Sequence, residues 1–285
     1  MNDLKAGFAR VNINPPIGIS IMGYFKPRYA VGILDDLEVV VLALKCGDVK
    51  SLFISIDHCG IEQVINAQIR KGASEVAGIP IEHIMISATH THTTPFLEKD
   101  SENILVREYT YFVELRVKDA ARFAVDDLKD AKIEYGKGVA PNVTFVRRYV
   151  MKDGNVKTNP GVNNPNIVCP IGDADESVNV IRFDREGANT IVFVNFANHP
   201  DVVGGCRISA DWPGMLRRMV EKVLDGTKCI FFNGAQGDVN QVNVHPTGGF
   251  LNRMFMDFDD VSRAYSHAQY IARVVTAAFF RRMIR

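Results

Sequence analysis

Short apolar runs of β-strand length alternate along this chain with longer segments whose apolar residues recur at helical spacing. This order predicts an α/β fold, a layered mixed sheet with helices packed on its faces. No internal repeat or low-complexity linker is visible in the sequence, so we predict one domain spanning residues 1–285. The predicted strands cover residues 4–13, 37–45, 50–56, 83–92, 132–146, 178–184, 190–196 and 229–232, and the predicted helices cover 62–76, 103–128, 211–224 and 259–283.

Three local features qualify this outline. The segment from Thr158 to Asp175 is rich in proline, glycine and asparagine, which predicts a long loop without regular structure. Asp211 precedes Trp212 and Pro213 at the start of the third helix, so we predict it as the N-cap. His267 is expected on the exposed side of the last helix.

Composition excludes several classes of protein. The 285 residues are 47% hydrophobic, and 33 basic side chains balance 33 acidic ones without a long run of either sign. Nucleic-acid or anionic-membrane surfaces need clustered lysine and arginine, so neither partner is expected. The first ten residues lack the apolar core of a secretion signal, and the five cysteines show no CxxC spacing. We therefore expect a cytoplasmic protein with reduced cysteines.

The candidate metal-binding and catalytic side chains lie where predicted strands end. His90 and His92 are two residues apart at the end of an apolar run, and residues i and i+2 of an extended segment share a face. Both imidazoles can therefore reach one point, which is the geometry of a metal site. Pro95 then ends the strand, because proline cannot donate to a β-ladder.

Four predicted strands end in ionisable or amide side chains. Ligands of open α/β sheets bind beyond strand ends, so these four exits can share one cleft if their strands are neighbours. Nitrogen and oxygen donors without sulfur favour zinc first, and manganese or iron second. Three protein ligands and a water are typical of a hydrolytic zinc site. The four exits are Asp57 with His58, His90 with His92, His199 with Asp201, and Asn233 with Asp238.

Three ordered motifs carry a resemblance to a known family. They are Ser87 to Pro95, then Asn198-His199-Pro200 followed by Ile208 to Gly214, and Asn233 to Asn240. Together with the opening from Gly7 to Tyr24, these segments resemble the neutral/alkaline, non-lysosomal ceramidase family. The resemblance spans most of the chain and is like the N-terminal domain of that family.

The resemblance implies a zinc-dependent amide hydrolase with about one zinc ion per chain. It implies His90 and His199 as metal ligands, His92 as a proton-transfer or substrate-polarising group, and Arg147, with Arg148 next to it, at the reacting centre. Asp211, in the motif after His199, is assigned to catalysis.

This chain also departs from the family. Ceramidases are much longer and draw a glutamate and a tyrosine ligand from a later region, and a serine that they carry after Gly-Asp-Val is Asn240 here. Asp57, Asp211, Asp238 and His245 are the candidates for the remaining ligands.

The predicted function is therefore hydrolysis of an amide or ester bond in a small water-soluble substrate, with a metal-bound water as nucleophile. Two alternatives stay open: a non-catalytic ligand-binding relic of the fold, and a metal-dependent lyase or isomerase acting on a polyol. The sequence leaves open whether the chain forms a homo-oligomer.

Overall fold

A computed structural model of the protein describes residues 3–246 and 261–283. Four long helices flank the sheet: α1 Gln63–Ala77, α2 Ile104–Asp126, α3 Asp211–Val223 and α4 Val261–Met283, and a 3-10 turn covers Ile81–His83. The strands are β1 Leu4–Asn12, β2 Ser20–Ile21, β3 Arg28–Tyr29, β4 Gly32–Ile33, β5 Glu38–Cys46, β6 Val49–Ile56, β7 Ile84–Ala88, β8 Lys129–Val139, β9 Phe145–Val146, β10 Arg148–Met151, β11 Val156–Thr158, β12 Ile167–Pro170, β13 Ser177–Arg185, β14 Thr190–Phe196, β15 Arg207–Ile208, β16 Thr227–Asn233 and β17 Val239–Asn240.

Eight of these strands form the central mixed sheet, in the order β16-β14-β13-β8-β1-β5-β6-β7. Reading outward from its centre, each half has two antiparallel pairs followed by one parallel pair. The parallel pairs are β6–β7, whose crossover contains α1, and β14–β16, whose crossover contains α3. The layered α/β prediction is confirmed, and the chain contains a topological repeat that the sequence does not reveal.

The sheet curls so that its two ends meet. Strand β16 packs against β5, β6 and β7, and the Ser55 hydroxyl donates a 2.7 Å hydrogen bond to the carbonyl oxygen of Phe231. Between the halves, the ring of Phe53 lies 6.2 Å from that of Phe193 and 6.3 Å from that of Phe232. Strands from opposite ends of the sheet therefore deliver their carboxyl ends to one region.

Both faces of each half are buried, and the alternation of β5 shows how. Val39, Val41 and Ala43 face a core shared with α1 and α2, whereas Val40 and Leu42 face the core between the halves. A third core lies between the second half of the sheet and helices α3 and α4. Burial on both faces explains why the strands appear as continuous apolar runs.

A buried ion network joins the halves. Arg217 of α3 is completely buried and contacts both oxygens of the equally buried Asp57, which follows β6. The Nη2 atom of Arg217 also lies 3.1 Å from a carboxylate oxygen of Glu38 in β5. Arg10 continues the network by pairing with Glu38 and with Glu221. Charge pairing thus fixes how the two halves meet beneath the strand ends.

Three local predictions are wrong. The loop predicted from Thr158 to Asp175 contains the strand Ile167–Pro170, whose ladder with β10 supplies the order that its proline-rich sequence conceals. The N-cap of α3 is Ala210, and Asp211 begins the helix. His267 is buried, because α4 packs against both α3 and the sheet. The predicted start of the last helix, residues 259–260, lies outside the described residues.

Candidate metal centre

Three histidines from opposite ends of the sheet meet in one cluster. Nε2 of His92 lies 3.3 Å from Nε2 of His90 and 3.1 Å from Nε2 of His199. The three ring centroids are separated by 4.6 to 5.0 Å. The structure therefore brings together the three imidazoles that the sequence singles out at 90, 92 and 199.

The backbone holds His90 in an unusual conformation. Its φ is 73°, in the left-handed region that costs a residue with a Cβ about 1–3 kcal/mol. The surroundings maintain it: the His90 amide donates to the carbonyl of His58 at 2.8 Å, and Nδ1 is bonded to the carbonyl oxygen of Cys59. With Nδ1 occupied, Nε2 is the nitrogen that faces the other two rings.

Small hydroxyl side chains anchor the rest of this segment. Thr91 and Thr93 both donate to the carbonyl oxygen of Ser209, at 2.8 and 3.1 Å. Thr94 accepts from the backbone amide of Cys59 at 3.1 Å. The threonines around the histidine pair are buried, so they tie the segment to neighbouring backbone rather than line an open surface.

Asp211 positions the loop that carries His199. Its carboxylate is completely buried and accepts hydrogen bonds from the backbone amides of Val202, Val203 and Trp212. Nδ1 of His199 itself lies 3.2 Å from the carbonyl oxygen of Gln236. These contacts with backbone amides give Asp211 a positioning role, and the catalytic role assigned to it from the sequence stays a prediction.

Burial keeps the cluster neutral. It lowers the pKa of His92 to about 3, with the neighbouring His90 and His199 adding to the effect, and lowers that of His199 to about 4. The pKa of His90 is also lowered, first by burial. Neutral imidazoles have free lone pairs, which is the form in which histidine binds metals.

The two adjacent arginines point to different surroundings. The positive charge of Arg147 helps to lower the pKa values of His90 and His199, so its guanidinium is close enough to act on the cluster. Its Nε is buried and has no hydrogen-bond partner among the described residues. Arg148 instead lies 3.5 Å from Asp238 in a half-exposed pair. Of the two, Arg147 is the cation at the histidines.

A polar chain that the sequence motifs do not assign supports His92. Asp201 has a carboxylate oxygen 3.6 Å from Nδ1 of His92 and accepts a hydrogen bond from the Tyr24 hydroxyl. Arg28 stacks 4.0 Å above the Tyr24 ring and donates to the carbonyl oxygen of His92 at 2.7 Å. Two features of the sequence could have indicated these contacts: the loop from Gly23 to Arg28, and the acidic Asp201 two residues after His199.

The other candidate ligands have different contacts. Asp57 is paired with Arg217, Asp238 is half-exposed beside Arg148, and the exposed His245 has its ring 6.4 Å from that of Tyr149. Cys59 is nearer: its sulfur and one nitrogen each of His90 and His92 lie within 4.8 Å of one another. Burial raises the pKa of the Cys59 thiol to about 11.

The histidine nitrogens fit a metal ion of zinc's size. Ligands on one tetrahedral zinc ion, at zinc–nitrogen distances of about 2.0–2.1 Å, lie roughly 3.3 Å apart. The distances from Nε2 of His92 to Nε2 of His90 and of His199, 3.3 and 3.1 Å, match that separation. Neutral rings, fixed Nδ1 contacts and this spacing together make the cluster a suitable donor set.

A cavity of about 300 Å³ lies against the N-terminal loop, and the three histidines are not among the residues that line it. Tyr24 belongs to its wall, and the centroid of that ring lies 5.7 Å from the centroid of His92. Its apolar lining includes Ile21, Phe25, Tyr29 and Phe96. Its volume is at the lower end of the range for small-molecule sites.

The chain has the α/β fold of neutral ceramidase structures. It matches the crystal structure of neutral ceramidase from Pseudomonas aeruginosa with a TM-score of 0.75 at 16% identity, over 99% of this chain and 45% of that one. A structure described as ceramidase complexed with C2 matches with a TM-score of 0.77 at 17% identity, over 99% and 44% of the two chains. The chain thus spans less than half the length of either ceramidase.

No protein-family model and no curated protein sequence matches the chain. The two ceramidase structures support, at the level of the fold, the resemblance predicted from three short motifs. Among the described residues, no helix combines the length and apolar character needed to cross a bilayer.

Proposed function

We propose that this protein is a metal-dependent hydrolase that cleaves an amide or ester bond in a small substrate, with zinc as the metal. The observation that carries the proposal is the convergence of His90, His92 and His199, with Nε2 atoms at the spacing of ligands around one ion. Neighbours with a ceramidase fold support the choice of an amide bond over other hydrolysable bonds.

His90 and His199 would hold the ion. Their Nδ1 atoms are engaged by backbone carbonyls of Cys59 and Gln236, so each presents Nε2 to the centre. Such outer contacts fix the orientation of a ligating ring and raise its basicity. A zinc ion bound there activates water and polarises a carbonyl group.

Arg147 suits the negative charge that develops on the carbonyl oxygen during hydrolysis. Its positive charge helps to lower the pKa values of His90 and His199, and its Nε is buried without a partner among the described residues. A preorganised donor of this kind contributes about 100- to 1,000-fold to the rate. The apolar cavity beside Tyr24 is the place for the organic part of the substrate.

Turnover of a panel of soluble amides and esters tests the proposal. Tag-free protein should hydrolyse at least one of them, lose that activity with a chelator, and regain it with zinc. Arg147→Ala should lower kcat about 100-fold, whereas Arg148→Ala, a change of the adjacent arginine, should leave it near the wild-type value. A folded, zinc-loaded protein that hydrolyses none of the panel would overturn the proposed reaction.

A further inference from the structure

The geometry points to His92 as a third ligand of the metal ion, held in place by Asp201 and Tyr24. This inference rests on the proposed metal site but departs from the proton-transfer role that the family resemblance implies for this histidine. It also gives functions to an aspartate and a tyrosine outside the three family motifs.

The first argument is the position of His92 within the cluster. Its Nε2 lies 3.3 Å from Nε2 of His90 and 3.1 Å from Nε2 of His199. An ion about 2.0–2.1 Å from two of these nitrogens is within easy reach of the third. A proton donor to a leaving group would need to stand farther from the metal than the ligands do.

The second argument is the contact on the other side of the ring. A metal-bound histidine usually gives its second nitrogen to a carboxylate or carbonyl, which fixes its tautomer and orientation. Nδ1 of His92 has Asp201 at 3.6 Å, and the Tyr24 hydroxyl donates to the same carboxylate oxygen. This spacing is longer than a hydrogen bond, so Nδ1 of His92 is buried without a hydrogen-bond partner among the described residues, and Asp201 is the carboxylate placed to become that partner.

The third argument is that the backbone of His92 is fixed independently of its ring. Arg28 donates to its carbonyl oxygen at 2.7 Å, and its amide donates to the carbonyl of Pro200 at 3.3 Å. A Cβ placed on Gly23 would come within 2.8 Å of the His92 Cα, so the N-terminal loop packs directly on it. Three such histidine ligands would leave room for a water molecule on the ion, as in catalytic zinc sites.

Cobalt titration of the purified chain tests the assignment without a substrate. Co²⁺ affinity and visible absorption would be measured for the wild type, His92→Ala, Asp201→Asn and two controls. Loss of the His92 imidazole should weaken binding by at least about 100-fold, because even outer contacts of a metal-bound histidine are worth about 10- to 100-fold. Asp201→Asn should weaken it within that smaller range.

The controls separate His92 from its competitors. His245→Ala removes an exposed imidazole that does not contact the cluster, and Cys59→Ser removes the nearby sulfur; neither should change cobalt affinity. The wild-type spectrum should lack a sulfur-to-cobalt charge-transfer band. Such a band, abolished by Cys59→Ser, would overturn the assignment in favour of a thiolate ligand.

The remaining outcomes are equally decisive. If His92→Ala binds cobalt with wild-type affinity and spectrum, the inference fails while the proposed function stands. If the wild type binds neither cobalt nor zinc, the proposed function itself fails. Should His92→Ala not fold, Asp201→Asn decides, because unchanged affinity in that variant would contradict the arrangement described here.

Discussion

The two halves of the sheet share one strand order but differ in what stands at their strand ends. After β6, the first half places Asp57 and His58, both buried and engaged in internal contacts. After β14, the topologically equivalent strand, the second half places His199 against the other two imidazoles. The loops after equivalent strands thus carry a structural anchor in one half and a candidate ligand in the other.

This difference shows how an asymmetric site arises from a repeated topology. The first half contributes His90 and His92 from the end of β7, and the second contributes His199 and Arg147. Neither half holds the cluster alone. The Asp57–Arg217 pair lies below it and crosses from one half to the other.

Breaking that crossing pair should have the largest effect. Arg217→Ala leaves the completely buried Asp57 without its counter-charge, which typically costs about 3–5 kcal/mol. Urea unfolding should show this loss. As a control, Arg122→Ala removes an exposed pair with Asp126 and should cost about 1 kcal/mol or less. Equal losses for the two variants would contradict a structural role for the crossing pair.

Acid should destabilise the protein through His58, which lies in the first half. Burial holds the pKa of His58 at about 4, below its ordinary value of 6.5, so the unfolded chain takes up a proton first as the pH falls. The stability contributed by the neutral ring is complete above pH 6.5 and is lost between pH 6.5 and 4. The loss amounts to roughly 3 kcal/mol.

Unfolding free energies at pH 7, 5.5 and 4 would measure this dependence. His58→Asn should have a shallower decline than the wild type across that window. The same decline in both proteins would show that His58 is not held neutral by its surroundings.

Zinc affinity distinguishes the histidines that follow the equivalent strands β6 and β14. His199→Ala should weaken zinc binding by at least about 100-fold, because it removes a ligand, whereas His58→Asn should leave binding unchanged. Calorimetric titration of each purified variant measures both. A reversed result would assign the metal to the first half alone.

A smaller effect is expected where the N-terminal loop touches the site. Gly23 has a φ of 106°, and a Cβ there would lie 2.8 Å from the His92 Cα, so Gly23→Ala should displace His92 and weaken zinc binding about tenfold. Gly18→Ala is the matched control, because Gly18 also has a positive φ of 89° but has no atom within 4 Å of its added Cβ. Equal zinc affinities in the two variants would show that the N-terminal loop does not position His92.

The sequence predicted the eight strands of the central sheet and the four helices, but not the short strands outside that sheet or the closure of the sheet into one site. Periodicity located α1, α2 and the β5–β6 hairpin to within one or two residues, because burial on defined faces leaves a clear pattern. The meeting of β7 with β16 depends on curling of the sheet, a long-range property with no local signal.

The same limit applies to the site. The sequence predicted the pairing of His90 and His92 from the alternation of a strand, but β7 ends at Ala88 and His90 has a φ of 73°, so the pair lies in the segment after the strand. Asp211 looked like a cap or a catalytic acid, and only the fold shows its carboxylate binding the amides of the His199 loop. Asp201 lay one residue outside a recognised motif, and its link to Tyr24 joins residues 177 positions apart.

Zinc K-edge absorption of tag-free protein, combined with its metal content, tests the central claim most directly. We expect about one zinc ion per chain, surrounded by imidazole nitrogens at about 2.0–2.1 Å, with His90→Ala losing the ion. A folded wild-type chain that contains no zinc and takes up none when it is supplied would contradict the account.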